Sequence, residues 1–158
     1  MNYPGYDPNR GGPGAAGAWL LQCSPARSVA LSLRTCQELV EYPEIIPMPT
    51  IPHFALGLLR WRDNWLPVLD LNSLITGAVA GKDNLTYCLI TAYQGRAGIE
   101  YGALSLKSSP VQVKIMDEKI CALPKDGFRW QDIAISCFQH GRKRVPIVDA
   151  ARIFSYRS

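Results

Sequence analysis

Apolar residues recur along this chain in short runs divided by turn-forming residues, without the three-to-four spacing that a long amphipathic helix requires. Trp19-Leu20-Leu21-Gln22-Cys23 and Val29-Ala30-Leu31-Ser32-Leu33 read as paired strands joined through Ser24-Pro25-Ala26-Arg27. Thr35 to Tyr42 predicts one or two helical turns, ended by Pro43. Ile45-Ile46-Pro47-Met48-Pro49 is extended, because each proline drives its predecessor out of the helical region. Later strands are expected at Leu85–Ala92, Ile99–Leu106, Val111–Ile115, Ile120–Leu123, Ala134–Phe138 and Val145–Val148. Turns fall at Gln94-Gly95-Arg96-Ala97 and His140-Gly141-Arg142. Many short strands with few helix signals point to small β-barrels.

The clearest element is a hairpin between Leu56 and Leu71. Leu58-Leu59-Arg60-Trp61-Arg62 and Trp65-Leu66-Pro67-Val68-Leu69 flank Asp63-Asn64, a pair that tolerates the positive φ of a tight turn. That turn pairs Arg62 with Trp65, Trp61 with Leu66 and Arg60 with Pro67. Alternation sends Leu59, Trp61, Leu66 and Val68 to the core and leaves Arg60, Arg62 and Trp65 on the other face. Arg62 beside Trp65 would form a cation–π contact, and both residue types are enriched in binding hot spots.

A weak internal repeat links the two halves. Leu66-Pro67-Val68-Leu69-Asp70-Leu71-Asn72-Ser73-Leu74-Ile75 is echoed by Val145-Pro146-Ile147-Val148-Asp149-Ala150-Ala151-Arg152-Ile153-Phe154. Each copy reads as a strand, an Asp and a short helix, so two similar subdomains are expected. Met1 to Gly17, rich in glycine and proline, reads as a flexible tail ahead of a domain spanning 18–158. It lacks the basic-then-apolar start of a secretory signal, and no apolar run approaches the roughly 20 residues of a membrane span.

The chain's 158 residues suit one domain or two small barrels, and composition excludes a mainly disordered chain. Cys23, Cys36, Cys88, Cys121 and Cys137 are odd in number and widely spaced. They read as small buried hydrophobes in a reducing compartment, not as a disulfide framework or zinc site. Asp70 and Asp149 end equivalent strands and read as helix N-caps rather than a catalytic pair. His53 and His140 have no ligand partners at metal-binding spacing. There is no GxSxG, GxGxxG or phosphate-loop pattern, so an enzyme is not expected and no cofactor is implied. Charge is uneven: residues 1–79 carry five Lys/Arg against six Asp/Glu, and residues 80–158 carry twelve against seven. Gly141-Arg142-Lys143-Arg144 reads either as a solvated loop or, with Arg129 and Trp130, as a surface that neutralises phosphates and stacks bases. A small basic nucleic-acid-binding barrel is therefore the alternative function.

The stretch Cys36 to Leu74 resembles the CheW-like chemotaxis coupling family. Cys36-Gln37-Glu38-Leu39 is similar to its valine-x-Glu-Ile/Val segment. Met48-Pro49-Thr50-Ile51-Pro52-His53-Phe54-Ala55-Leu56-Gly57 is similar to its proline-rich approach to a glycine. Gly57-Leu58-Leu59-Arg60-Trp61-Arg62 with Leu66-Pro67-Val68-Leu69-Asp70-Leu71 resembles its hallmark hairpin. A looser match runs from Trp19 to the C-terminus. Departures mark a divergent member: Asp63 stands where the family has glycine after the hairpin arginine, Glu100-Tyr101-Gly102 replaces a Val-Val-Asp strand, and a late glycine is replaced around Ser136.

The resemblance implies a mainly β fold of two SH3-like five-stranded β-barrels, packed side by side with short helices and exchanging segments near the middle and the C-terminus. It implies a non-catalytic adaptor that docks onto the regulatory domain of a chemosensory histidine kinase and the cytoplasmic tip of a methyl-accepting chemoreceptor. Such an adaptor is cytoplasmic and recruited to membrane-bound receptor arrays, without inserting into the membrane itself. A pilus-linked system driving twitching motility fits the divergence. Matching positions make Arg62 the leading partner contact, with Cys36 and Glu38 at positions associated with partner binding. Trp65 and Arg60 join them from the hairpin's outward face.

Overall fold

The structure, a computed structural model, describes residues 15–81, 83 and 85–157. The expected tail lies outside the described residues as far as position 14. Ala15, Ala16 and Gly17 already belong to the first strand, opposite Met116, Ile115 and Lys114. The strands are β1 (Ala15–Ser24), β2 (Arg27–Ser32), β3 (Cys36–Glu41), β4 (Ile45–Ile46), β5 (Ala55–Trp61), β6 (Asn64–Leu69), β7 (Tyr87–Gly95), β8 (Gly98–Leu106), β9 (Val111–Met116), β10 (Ala134–His140) and β11 (Lys143–Val148). Two short helices, α1 (Leu71–Thr76) and α2 (Ala150–Phe154), follow β6 and β11.

These strands form two sheets, one ordered β10-β11-β2-β1-β9 and the other β3-β7-β8-β6-β5-β4. The second therefore has six strands rather than five, because Ile45 and Ile46 pair with Leu59 and Leu58. The first sheet takes both ends of the chain and the second takes the middle. The two share one plan. A hairpin (β10-β11 or β5-β6) lies parallel to an inner strand (β2 or β8), which continues antiparallel to two more (β1-β9 or β7-β3). The sequence repeat thus sits once in each sheet, at β6–α1 and β11–α2. The helices cross over: α1 contacts β1 and α2 contacts β7.

Each sheet curls around its own apolar cluster. Ile45, Leu59, Trp61, Leu66, Val68, Cys88, Ile90 and Ala103 fill the six-stranded one. Ala18, Ala30, Ile115, Phe138 and Val145 fill the other. Between them lies the main core, where Trp19, Leu21, Val29 and Leu31 meet Leu89, Leu104, Leu69, Leu74 and Ile153. Strands such as β2 and β7 are therefore buried on both faces, which is why they read as continuous apolar runs instead of alternating ones. Each such Leu, Ile or Val contributes about 1.5–3 kcal/mol by leaving water. In the second sheet the close approach of β4 to β5 requires glycine at position 57. Its φ is +139°, and a Cβ there would overlap the Ile46 carbonyl oxygen.

Two expected elements differ. Thr35–Tyr42 is strand β3 rather than helix. A helix that short is marginal on its own, whereas β7 supplies partners for Cys36, Glu38, Leu39, Val40 and Glu41. Leu39 then faces the shared core and Val40 the second sheet's cluster. Ile120–Leu123 is not a strand. Ile120 makes one bridge to Phe138, and the chain then turns inward so that Leu123 packs on the shared core. The N-cap reading holds fully for Asp70, whose carboxylate accepts from Asn72 N–H at 3.0 Å. Asp149 occupies the equivalent position without that bond and instead pairs with Arg152 Nε at 3.7 Å.

Candidate partner-binding face

The hairpin turn lies one residue earlier than the sequence reading. Trp61 pairs with Asn64, Arg60 with Trp65, Leu59 with Leu66 and Leu58 with Pro67. Arg62 and Asp63 are the corner residues, with φ of +46° and +63°. Successive positive φ values give a hairpin turn whose twist matches that of its strands. Moving the turn by one residue changes each cross-strand partner by two, so every side chain keeps its expected face. Leu59, Trp61, Leu66 and Val68 are buried, and Arg60, Arg62 and Trp65 are exposed.

The expected Arg62–Trp65 contact is consequently replaced by two others. The Arg60 guanidinium carbon lies 5.9 Å from the Trp65 ring centroid. The Arg62 guanidinium lies over Trp61 at 4.5 Å. Trp61 is itself fixed from behind by Tyr101, with ring centroids 5.1 Å apart. Its indole N–H donates to Glu38 Oε2 at 2.7 Å. Glu38 Oε1 stands 4.0 Å from an Arg62 nitrogen, and both side chains remain substantially exposed. Glu38 comes from β3 and Trp61 from β5, strands far apart in the sheet order. Their bond ties the curled sheet across its open side. It also joins four of the candidate residues into one unit: Glu38, Arg62 and, through the hairpin, Arg60 and Trp65.

Around this unit the sheet presents an apolar strip. Pro67 is exposed opposite half-buried Leu58, and Ile46 on β4 lies beside Leu58. Trp65 is 50% exposed and Ile46 43%. A large aromatic and neighbouring aliphatics flanked by two arginines and two carboxylates are the composition of an interface core with a charged rim. Trp61, Ile46 and Pro67 were not singled out by sequence. Trp61 was read only as core, and its role depends on Glu38, 23 residues earlier in the chain.

Other candidates fall elsewhere. Cys36 is buried, its thiol approaching the Ser32 carbonyl oxygen at 3.7 Å, and burial pushes it up to about 12. As the first residue of β3 it packs into the shared core, not on the face. Trp130 is also buried, donating to Asp126 at 2.9 Å, so it cannot stack on bases as the nucleic-acid reading needs. Arg129 pairs with Asp132 at 3.2 Å. Arg142, Lys143 and Arg144 are exposed, the first two lining an open groove of about 590 Å³ with His140, Ser108 and Ser109. His53 packs edge-on against Phe54. Among the described residues no group of three or more His, Cys, Asp or Glu is placed to hold a metal, and no helix is long and apolar enough to cross a membrane.

A model of the CheW-like domain matches residues 19–158. The chain belongs to the CheW-like family. It is thus, at the level of that family, a non-catalytic adaptor of chemotaxis-type signalling. The crystal structure of the scaffolding protein TtCheW from Thermoanaerobacter tengcongensis shares its fold at a TM-score of 0.72. The two are 17% identical, and the match covers 89% of this chain and 93% of that one. No curated protein matches the sequence. The departures from the CheW-like pattern now have local explanations. Asp63 occupies a left-handed corner that glycine adopts freely and Asp tolerates. In Glu100-Tyr101-Gly102, Tyr101 supports Trp61, and the missing Cβ of Gly102 makes room for the Phe154 ring of α2. Ser136 adjoins a register irregularity in β10.

Proposed function

We propose that this CheW-like chain is a cytoplasmic adaptor coupling the cytoplasmic tip of a methyl-accepting chemoreceptor to the regulatory domain of a chemosensory histidine kinase, within membrane-bound arrays of a pilus-linked motility system. The kinase contact is the hairpin face: Arg62, Arg60 and Trp65, with Glu38 orienting Arg62 through Trp61. Cys36 contributes from inside, by holding the strand that carries Glu38. The observation behind this reading is half-exposed Trp65 beside Arg60, on a hairpin whose corner Arg62 lies over the braced Trp61.

The receptor contact is a second surface, an open groove of about 480 Å³ lined by Arg34, Thr35, Tyr93, Ile99 and Ala151. Tyr93 stacks on Phe154 there, at 5.2 Å between centroids. A receptor helix would lie along it with apolar side chains inward. Residues 18–158 act as one rigid unit of two exchanging barrels. Holding both partners on one body raises their effective concentration for each other, so modest individual contacts give a stable assembly.

The test is Arg62→Asp against the purified kinase regulatory domain. Binding falls at least tenfold while thermal unfolding stays within a few degrees of wild type. Unchanged affinity in a folded variant overturns the assignment. The basic groove favours the nucleic-acid alternative, which predicts DNA or RNA retention falling steeply with salt and lost on neutralising Arg142 and Lys143.

A further inference from the structure

Five widely spaced cysteines gave no sign of pairing in sequence, yet the fold brings two together. Cys121 follows the bridge between Ile120 and Phe138, and its N–H donates to the Cys137 carbonyl at 3.0 Å. The two residues therefore face each other across a β-type pairing, where Cα atoms stand about 5.5 Å apart, inside the range a disulfide spans. Their sulfurs lie 3.5 Å apart, with the Cys121 thiol donating to Cys137. All five cysteines are free thiols. Cys121 is partly exposed and Cys137 is buried beneath it.

We propose that Cys121 and Cys137 form a dithiol–disulfide modification site, open to low-molecular-weight disulfides, that clasps the 117–133 segment onto β10. The Cys121 thiolate, the accessible sulfur, attacks one sulfur of the disulfide RSSR and releases RS⁻. Cys137 then gives up its proton and attacks Cys121 Sγ, displacing the second RS⁻, which is protonated to RSH. Two cysteine thiols plus RSSR become one protein disulfide plus two RSH. The protein loses two electrons and two protons, which the small molecule gains.

The clasp has a structural target. In the second sheet, β4 covers the outer side of β5 with two paired residues. At the equivalent place on β10 the bridge at Ile120 and the single Cys121 hydrogen bond do that work. A covalent link there fixes the segment carrying Ile133 and Trp130, which fill the shared core. The remaining thiols lie elsewhere, Cys23 and Cys36 at the shared core and Cys88 in the second sheet's cluster.

The experiment treats the full, folded chain with oxidised glutathione, quenches with an alkylating agent under denaturing conditions, and maps tryptic peptides without reduction. The expected result is loss of two hydrogens from the intact mass and a single linked pair, peptide 120–125 to peptide 130–142, both reversed by reductant. Amide exchange in 117–133 slows at least threefold on oxidation. Cys137→Ala should stop at a stable glutathione adduct on Cys121. Since that buried substitution can disturb folding, Cys121→Ser serves as the second variant and should take up no glutathione at Cys137. A stable adduct on wild-type Cys121 without closure overturns the proposal, as does a bridge to any other cysteine or between molecules. Partner binding is not measured, so the outcome is independent of the adaptor reading.

Discussion

Replacing Glu38 by alanine tests the bracing of the hairpin. Its carboxylate accepts the 2.7 Å bond from the Trp61 indole and faces Arg62 at 4.0 Å. A hydrogen bond to a charged group contributes about 1.5–3 kcal/mol. The Arg62 pair is long and solvated, so it adds no more than about 0.5 kcal/mol. Trp61 is 8% exposed, so its orphaned N–H recovers only part of the loss by meeting water. The expected cost is therefore about 2 kcal/mol, or about 4–8 °C in melting temperature for a domain of this size. Glu38→Gln keeps a neutral acceptor and should cost about half as much. Urea denaturation followed by tryptophan fluorescence gives both values, and the slope should not change. A loss below about 0.5 kcal/mol for Glu38→Ala would mean that the β3–β5 tie carries no energy and that Arg62 is not oriented through it.

Other positions give equally direct expectations. Asp63→Gly removes a side chain from φ +63° and should leave stability unchanged or raise it by up to about 1 kcal/mol, whereas Asp63→Val should cost about 1–2 kcal/mol; equal midpoints in urea for the two variants would refute the turn assignment. Gly57→Ala drives a methyl into the Ile46 carbonyl and should cost about 2–4 kcal/mol, detected as a lower melting temperature; a wild-type value would mean that β4 does not pack on β5 as described. Burial raises the thiols of Cys36 and Cys88 from 9.0 to about 12. Their folded state holds protons more tightly than the unfolded one, so this contribution is fully present below pH 9 and is lost as pH rises toward 12. Urea midpoints should fall across that window, and Cys88→Ala should flatten part of the fall.

The faces of the hairpin were legible in sequence because side-chain alternation survives a two-residue change of pairing. Its contacts were not legible, since they depend on whether Asp63-Asn64 or Arg62-Asp63 makes the corner. The tolerance of Asp and Asn for positive φ suggested the former. The structure instead places Arg62 at φ +46°, letting Trp61 pair with Asn64 and pack inward. The β6–α1 and β11–α2 repeat was readable for the same reason the N-cap Asp70 was: its chemistry is local. What pattern reading missed is non-local. Thr35–Tyr42 carries helix-compatible residues but is claimed by β7. Trp130 offered an aromatic beside cations, but burial among Ile133, Leu123 and Phe128 removed it from the surface. Cys121 and Cys137 meet only because Ile120 bridges to Phe138.

The crossing of the two helices locks the two barrels into one body. Were each barrel closed by its own helix, the two would meet through a simple interface and could rock on it. Instead α1, which follows the second sheet, contacts β1 of the first, and α2, which follows the first, contacts β7 of the second. Leu74 and Ile153 therefore anchor in the common core from opposite directions, each fully or nearly fully buried. Separating the barrels would expose both helices' apolar sides together with Trp19, Leu31, Leu89 and Leu104, at about 1.5–3 kcal/mol for each residue returned to water. That cost, shared among many residues, fixes the Trp65 face on β6 relative to the groove beside α2. A rigid separation between the two proposed surfaces is the property tethering needs, because any play between them lowers the effective concentration that one bound partner presents to the other.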